Sequence, residues 1–342
     1  MKWKFQWIAI LYLAISVSCK KDSGIPAIVN VYVAGYEYKG SLGVAKYWKN
    51  GNAVNLTDGS KWAIATAIAV SGNDIYVAGY EQVGSNYQTA SIVKLWKNGN
   101  VVNLTDGSKH AEATGIAVSG NDVYVVGYEY DNENLFNANT CIAKYWKNGV
   151  EADLSNGAYF EYPQSINIVG NDVYIAGYAS DGTYEYAKYW KNGSPVMIPG
   201  DAHATAMAFS GNDVYVVGID FNFFANRNAI IWKNGDSTIL RDDPYETFAN
   251  GIAFVGKDMY VIGSEYTGSQ FVAVYWKNGV LTRMDPSAFS LNSIGTDGSN
   301  VYMCGSVSIG AHSGAAYWKN GKAVNLTDGS QDATALSIVL SR

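Results

Sequence analysis

The sequence predicts an all-β protein, a seven-bladed β-propeller with four short strands in each blade. Two repeated words carry this prediction. The word Trp-Lys-Asn-Gly begins at Trp48, Trp96, Trp146, Trp190, Trp232, Trp276 and Trp318. A second word, of the form Val-Tyr-Val-Ala-Gly, has its tyrosine at Tyr32, Tyr76, Tyr124, Tyr174, Tyr215, Tyr260 and Tyr302. Successive tyrosines lie 41 to 50 residues apart, which is the period of a four-stranded propeller blade.

One repeat, residues 112–154, divides into four strands, named A to D. The predicted strands are Glu112–Ser119, Asn121–Glu129, Thr140–Lys147 and Val150–Leu154. The A–B link Ser-Gly-Asn-Asp and the C–D link Lys-Asn-Gly are typical of tight hairpin turns, in which Gly and Asn accept positive φ. Strand B is apolar at consecutive positions, as in strands that are covered on both faces. We therefore expect the repeated Trp to fill the space between neighbouring blades.

The two ends of the repeat array complement each other. The array begins near Ile28 with a B strand that no A strand precedes, and it ends at Thr334–Ser341 with an A strand that no B strand follows. We expect the C-terminal A strand to join the N-terminal B, C and D strands in one blade. Such a blade closes the ring and leaves no open sheet edge.

The N-terminal residues predict export and lipid attachment. Residues 1–18 combine Lys2 and Lys4 with an apolar run that is shorter than the roughly 20 residues of a membrane span, which indicates a signal peptide. The sequence Ser-Val-Ser-Cys ending at Cys19 resembles the lipobox of bacterial lipoproteins, whose cysteine is acylated and anchors the protein to the membrane. Residues 19–27 are then the lipidated cysteine and a polar tether, and residues 28–342 are the propeller.

Composition and cysteine count exclude several classes of protein. The net charge of −6 becomes −8 once Lys2 and Lys4 leave with the leader, which argues against a nucleic-acid partner because phosphates attract a basic surface. Cys141 and Cys304 fall in the third and seventh blades, which are not neighbours. We expect two separate buried thiols rather than a disulfide or a catalytic cysteine.

The repeats resemble those of extracellular HAF-type propellers and of Bacteroidetes lipoproteins with Trp-Lys-Asn-Gly units, over about residues 28–342. The resemblance implies an outer-membrane lipoprotein on the periplasmic or cell-surface side, and it leaves the function open. The Trp-Asp dipeptide of the commonest intracellular propeller and the Gly-Gly pairs of Kelch repeats are absent from these repeats.

The expected ligand-binding surface is the loop face, which carries the B–C and D–A loops. The opposite turn face, with the A–B and C–D turns, is uniform, whereas the loops differ in length and chemistry between repeats. Aromatic rings beside carboxylates and amides suit a sugar, because rings cover its C–H faces and polar groups bind its hydroxyls. The candidate residues are Trp62, Tyr159, Phe160, Tyr162, Phe223, Phe224 and Tyr245. The alternative is that these rings only pack the loops onto the disc.

A second candidate group comes from aligning the A strands on their shared isoleucine. The position four residues earlier, expected at the mouth of the central channel, reads Thr334, Ile64, Glu112, Tyr162, His203, Phe248 and Ser290. Glu112, Tyr162 and His203 come from consecutive blades and could orient a ligand or perform acid–base chemistry. One His and one Glu are too few for a metal site, and the recurring Leu-Thr-Asp-Gly-Ser lacks the alternating carboxylates of a calcium loop. We therefore predict no metal and no cofactor.

The leading hypothesis is a monomeric, non-enzymatic binding module that recognises a glycan or an envelope protein through the loop face. One alternative is a propeller glycosidase or lyase that uses Glu112, Tyr162 and His203. A second alternative is a structural subunit of an envelope complex. No nucleophile elbow, zinc-protease helix or phosphate-binding Gly loop occurs in the sequence, so no motif favours an enzyme.

Overall fold

The computed structural model describes residues 29–84, 89–132, 140–221, 227–240 and 245–342. The fold of these residues is all-β. The strands are β1 (Asn30–Lys39), β2 (Leu42–Lys49), β3 (Asn52–Asn55), β4 (Ala63–Ser71), β5 (Asp74–Gln82), β6 (Ser91–Lys97), β7 (Asn100–Asn103), β8 (Ala111–Ser119), β9 (Asp122–Tyr130), β10 (Cys141–Lys147), β11 (Val150–Asp153), β12 (Phe160–Val169), β13 (Asp172–Ser180), β14 (Glu185–Lys191), β15 (Ser194–Ser210), β16 (Asp213–Asp220), β17 (Asn228–Lys233), β18 (Asp236–Ile239), β19 (Glu246–Val255), β20 (Asp258–Tyr266), β21 (Phe271–Lys277), β22 (Val280–Arg283), β23 (Ala288–Thr296), β24 (Val301–Ile309), β25 (His312–Lys319), β26 (Lys322–Asn325) and β27 (Ala333–Ser341). Nowhere in these ranges is there a helix with the length and apolar character needed to cross a membrane.

The strands form antiparallel four-stranded meanders, here called units and numbered 1 to 7 in chain order. Four of them are separate sheets, with the strand orders β27-β1-β2-β3, β4-β5-β6-β7, β19-β20-β21-β22 and β23-β24-β25-β26. Units 3, 4 and 5 merge into one eleven-stranded sheet for two reasons. Cys141 and Phe160 form a parallel bridge, and β15 runs unbroken from the D position of unit 4 to the A position of unit 5. The strands of unit 3 match the four predicted strands to within one residue.

Strands β27 and β1 pair although they are far apart in the sequence. The pairing is antiparallel and runs from Asn30 opposite Ser341 to Glu37 opposite Ala333. Strand β1 therefore has hydrogen-bonded neighbours on both sides, β27 and β2. The first and last described strands belong to the same sheet.

The seven repeated tryptophans form the apolar core between units. Each is at most 2 % exposed. Trp96 of unit 2, for example, belongs to the same buried cluster as Tyr32 and Ala45 of unit 1. Seven such clusters each join two units that are consecutive in the order 1 to 7, or units 7 and 1. The expectation that the tryptophans fill the space between neighbouring sheets is confirmed.

The remaining residues of the Trp-Lys-Asn-Gly word tie the C–D turn to strand B of the same unit. Asn148 has φ of 52°, accepts a 2.8 Å hydrogen bond from the Val123 N–H and donates one to Asp122. Lys147 pairs with Asp122 at 2.7 Å and lies over the ring of Tyr124. These contacts place the C–D and A–B turns on one face, as predicted.

The glycine of the second word permits a close approach of two strands. In every unit the A strand carries an extra residue opposite strand B near this glycine, which makes a β-bulge, and in unit 7 a second extra residue, Phe289, lies closer to the start of the A strand. At Gly127 an added Cβ would lie only 2.0 Å from the carbonyl oxygen of Glu112. The bulge and the glycine together fix the backbone position of Glu112.

Candidate functional site

The bulge residues of the A strands surround a central polar cavity. One bulge residue comes from each unit: Thr66, Thr114, Gln164, Thr205, Asn250, Asn292 and Leu336. The inner part of the cavity has a volume of about 250 Å³. A further space of about 350 Å³ is lined by the same seven residues together with Glu112 and Ala113. Glu112 therefore marks a mouth of the cavity.

The bulge side chains also link neighbouring units. Thr205 Oγ1 donates to the Ala249 carbonyl at 2.7 Å, Asn250 Nδ2 to that of Leu291 at 2.9 Å, and Asn292 Nδ2 to that of Ala335 at 2.8 Å. These bonds use amide and hydroxyl donors. Within the described residues the amide oxygens of Asn250 and Asn292 have no hydrogen-bond donor from the protein. The cavity wall thus offers acceptor oxygens to whatever enters it.

Both carboxylate oxygens of Glu112 accept hydrogen bonds. Tyr128 Oη donates to Oε2 at 2.8 Å, and His110 Nε2 lies 3.0 Å from Oε1. His110 Nδ1 lies 2.9 Å from the Thr89 carbonyl, which can only accept. Burial lowers the pKa of His110, but the hydrogen bonds to Glu112 and Thr89 outweigh it and raise the pKa above its ordinary value. Glu112 is therefore a fixed acceptor that is held from two sides.

The structure brings Glu112, Tyr162 and His203 into one cluster, with two further tyrosines between them. The ring of Tyr128, which binds Glu112, lies 5.3 Å from that of Tyr162. The ring of Tyr162 lies 5.0 Å from that of Tyr178, and Tyr178 stacks on His203 at 3.5 Å. Contact among the three predicted residues thus runs through tyrosines of the B strands.

Tyr162 and His203 are poorly suited to acid–base chemistry. Burial and the hydrogen bond to Tyr130 raise the pKa of Tyr162 well above its ordinary value, so the phenol keeps its proton. Burial, aided by the charge of Arg227, lowers the pKa of His203 to about 4, so the imidazole is neutral at pH 7. His203 Nε2 lies 3.2 Å from Glu185 Oε2, but the two groups are not aligned for a hydrogen bond.

The lowered pKa of His203 predicts a pH dependence of stability. In the unfolded chain a histidine binds a proton below about pH 6.5, whereas folded His203 binds one only near its pKa of about 4. Between these values the unfolded state binds more protons, so the free energy of unfolding falls as the pH decreases. We expect the free energy of unfolding to fall less between about pH 7 and about pH 4.5 in His203→Gln than in the wild type, as measured by denaturant titration at each pH.

A second neutral replacement, His203→Asn, checks this prediction. It should reduce the pH dependence as His203→Gln does, because neither amide side chain binds a proton in this pH range. If His203→Gln and the wild type lose the same stability between the two pH values, burial of the His203 ring is not the cause.

Trp62 lies at one end of the same cluster. It is half-buried and its ring packs against Tyr36 at 6.0 Å and Tyr38 at 5.2 Å, both in unit 1. Burial and the charge of Glu112 raise the pKa of Tyr80 above its ordinary value, and the nearby Trp62 indole opposes part of this rise. Trp62 thus approaches Glu112 through Tyr80. We call Trp62, Tyr36, Tyr80, Tyr128, Tyr162 and Tyr178 the tyrosine crescent.

The other candidate aromatic residues take different positions. Tyr159 and Tyr245 are exposed, and Tyr159 packs against Tyr186 with a 6.0 Å ring separation. Phe160 and Tyr162 lie in strand β12 rather than in a loop. Phe160 packs near Tyr130. Phe223, Phe224, Cys19 and the predicted leader lie outside the described residues.

Sequence reasoning missed the B-strand tyrosines. They directly follow the glycine of the second word in units 1 to 4, as Tyr36, Tyr80, Tyr128 and Tyr178. The equivalent residues of units 5 to 7 are Ile219, Ser264 and Ser306. Comparing this one position among the repeats could have found them. One half of the mouth is therefore rich in phenols, and the other half is not.

Other predicted features have structural roles. Cys141 and Cys304 are both buried and free, as expected. In the Leu-Thr-Asp-Gly-Ser segment, Asp106 accepts hydrogen bonds from the N–H and the hydroxyl of Ser108, which confirms its interpretation as a turn. Across the ranges that the structure describes, His, Cys, Asp and Glu form no group of three or more that could hold a metal.

Comparison with known proteins relates the fold to propellers. No family model and no curated protein matches the sequence. Among solved structures, the chain is similar to a puromycin hydrolase, with a TM-score of 0.54 and 10 % identity over 88 % of this chain. The aligned part is 52 % of that protein, so the chain spans about half its length. At this identity the likeness concerns the fold alone, and it indicates a β-propeller.

Proposed function

We propose that the chain is a closed seven-bladed propeller that acts as a non-enzymatic binding module and recognises a glycan at the cavity mouth on its loop face. Two observations support the ring. Strand β27 pairs with β1, and apolar clusters join each unit to the next and unit 7 to unit 1. A cavity lined by all seven A strands is the centre that such a ring requires.

The tyrosine crescent at the mouth of an acceptor-lined cavity is the observation that carries the binding proposal. Its rings offer apolar faces and hydroxyl groups side by side, from Trp62 in the loop before unit 2 to Tyr178 in unit 4. Sugars present C–H faces and many hydroxyl donors. Aromatic rings, the Glu112 carboxylate and the amide oxygens of the wall match these groups.

The enzyme alternative has less support from the geometry. Glycoside hydrolysis uses a pair of carboxyl groups, one of which must give or take a proton. Both oxygens of Glu112 are already hydrogen-bonded, Tyr162 holds its proton and His203 is neutral. A protein ligand from the envelope would use the same exposed face, and so would a role as a structural subunit of an envelope complex. Binding experiments distinguish both alternatives from glycan recognition.

The location belongs to the same proposal. Lipid attachment at Cys19 would hold a monomeric propeller at the outer membrane, on the periplasmic or the cell-surface side. The membrane is then a partner through the acyl chains, and neither a cofactor nor a nucleic acid is needed for the proposed activity.

A glycan-array screen of the purified chain followed by calorimetry tests the function. We expect Trp62→Ala to weaken a specific hit roughly tenfold, which corresponds to the loss of one stacked ring. Trp62→Phe should keep most of the affinity. Phe271→Ala is the matched control, because this aromatic is 47 % exposed and begins the C strand of unit 6, outside the crescent. It is expected to leave binding unchanged.

Three other outcomes would contradict the proposal. A blank array with a protein captured by the wild type and lost in Trp62→Ala would replace the glycan by a protein ligand. Turnover of a bound glycan that disappears in Glu112→Gln would make the protein an enzyme. Equal loss of binding in Trp62→Ala and Phe271→Ala would move the site away from the crescent.

A further inference from the structure

The lysine of the Trp-Lys-Asn-Gly word lies on the turn face in every unit, and in five units this lysine is neutralised. The pairs are Lys97–Asp74, Lys147–Asp122, Lys191–Asp172, Lys233–Asp213 and Lys277–Asp258, with N–O distances of 2.7 to 2.9 Å. Each carboxylate is the first residue of strand B. These five units therefore add little net charge to the turn face.

Units 1 and 7 break this pattern. The first residue of strand B is Asn30 in unit 1, and the residue just before strand B is Asn300 in unit 7. Each still binds the turn asparagine, Asn50 or Asn320, but carries no charge. Lys49 and Lys319 are exposed and have no ion-pair partner among the described residues.

More basic side chains accumulate in these two adjacent units. Lys322 follows the C–D turn of unit 7 and is exposed, and Arg342 follows β27 in unit 1 and is also exposed. The described acidic residue of these turns is Asp297. Its carboxylate accepts hydrogen bonds from Ser299, Asn300 and Tyr302, and its charge also attracts the Lys319 ammonium, so it offsets part of the positive charge here. We call Lys49, Lys319, Lys322 and Arg342 the basic sector.

The chain enters the fold beside the basic sector. The described residues begin at Val29, directly before β1. Asn50, the neighbour of Lys49 in the sequence, accepts a hydrogen bond from the Val31 N–H and donates one to Asn30. Val29 therefore lies on the turn face, on the side opposite the tyrosine crescent.

We propose that the basic sector is a membrane-contact surface that binds the anionic headgroups of a phospholipid bilayer. The proposal rests on the proposed lipid anchor, since Val29 lies ten positions after Cys19, a stretch that spans at most about 35 Å when fully extended. A tether of this reach keeps the turn face close to the bilayer. Each basic side chain within about 10 Å of an anionic surface is then attracted to it at physiological salt.

The contact would also orient the molecule. Units 3 and 4, which carry Tyr128, Tyr162 and Tyr178 of the crescent, lie across the ring from units 7 and 1, and their turn-face lysines are paired. Headgroup binding at the basic sector therefore holds the turn face against the membrane and directs the loop face away from it, where a glycan is accessible.

Vesicle binding of the full chain with Cys19→Ser, which cannot be acylated, tests the contact apart from the anchor. We expect Lys49→Gln combined with Lys319→Gln to lower binding to vesicles of phosphatidylcholine with phosphatidylglycerol by on the order of tenfold. Binding to pure phosphatidylcholine vesicles should not change. Residues 1–28 are common to every variant and cancel in the comparison.

Lys147→Gln combined with Lys191→Gln is the matched control. It removes the same charge from the same face but from units 3 and 4, and it should have little effect on vesicle binding. Equal loss in both double variants, or no loss in the first, would overturn the proposal. Glycan binding by the same samples is expected to be unchanged, so failure of the membrane contact is distinguishable from failure of the proposed function.

Discussion

Replacing Trp276 by alanine is expected to lower the free energy of unfolding by about 4 kcal/mol. The side chain is fully buried between units 5 and 6, where Val217, Ile231 and Val274 belong to the same cluster. Alanine would leave a cavity that strands held by their own hydrogen bonds cannot close. The measurement is chemical denaturation followed by fluorescence or circular dichroism.

Two variants act as controls for this prediction. Trp276→Phe should cost much less, because phenylalanine fills most of the space and the indole N–H of Trp276 has no hydrogen-bond partner among the described residues. Trp62→Ala removes a half-buried loop side chain and should change stability little. A similar loss of unfolding free energy in Trp62→Ala and Trp276→Ala would mean that a repeated tryptophan stabilises the fold no more than a half-buried loop residue does.

Replacing Gly127 by alanine is expected to destabilise the protein by about 3 kcal/mol, at the upper end of ordinary overpacking effects. The new Cβ would meet the Glu112 carbonyl oxygen at 2.0 Å and the Ala113 Cα at 3.0 Å, both of which are backbone atoms. The A strand must therefore move. Since Glu112 is part of the candidate site, we also expect weaker glycan binding by the protein that remains folded.

Gly295→Ala is the matched control for Gly127→Ala. This glycine also lies in a strand, but its nearest neighbour would be 3.5 Å from an added Cβ, which is ordinary contact. We expect a stability change of less than about 1 kcal/mol. If both alanine variants unfold at the same denaturant concentration, the close approach at the bulge is not what selects glycine in the repeated word.

The strands could be predicted well because each repeat contains the same turn residues and the same run of apolar residues. In unit 3 the Gly and Asn turns and the consecutive apolar residues predict each strand end to within one residue of its observed position. The long strand β15 could not be predicted from these rules. Pro199 and Gly200 are typical of a loop, yet the segment pairs with β14 before them and with β16 after them, so tertiary pairing outweighs local preference.

The candidate site was predicted only in part. Aligning the repeats selected Glu112, Tyr162 and His203, because a shared position in each A strand lies at the same level of each unit. The bulge was not visible in the sequence, so the cavity-lining Thr114 and its equivalents were missed. Tyr128 and Tyr178 were missed because only the A strands were aligned, whereas the extra bulge residue sets the register that brings these tyrosines beside Glu112 and Tyr162.

The position of strand β1 has a mechanical consequence. Because β1 lies between β27 and β2, a force applied at residue 29 cannot peel away an edge strand one hydrogen bond at a time. It must shear two antiparallel ladders at once, and one of them ties the beginning of the fold to its last strand. A protein held to a surface by its N-terminal segment while a large ligand pulls on the opposite face would carry that load in a strand that is hydrogen-bonded on both sides.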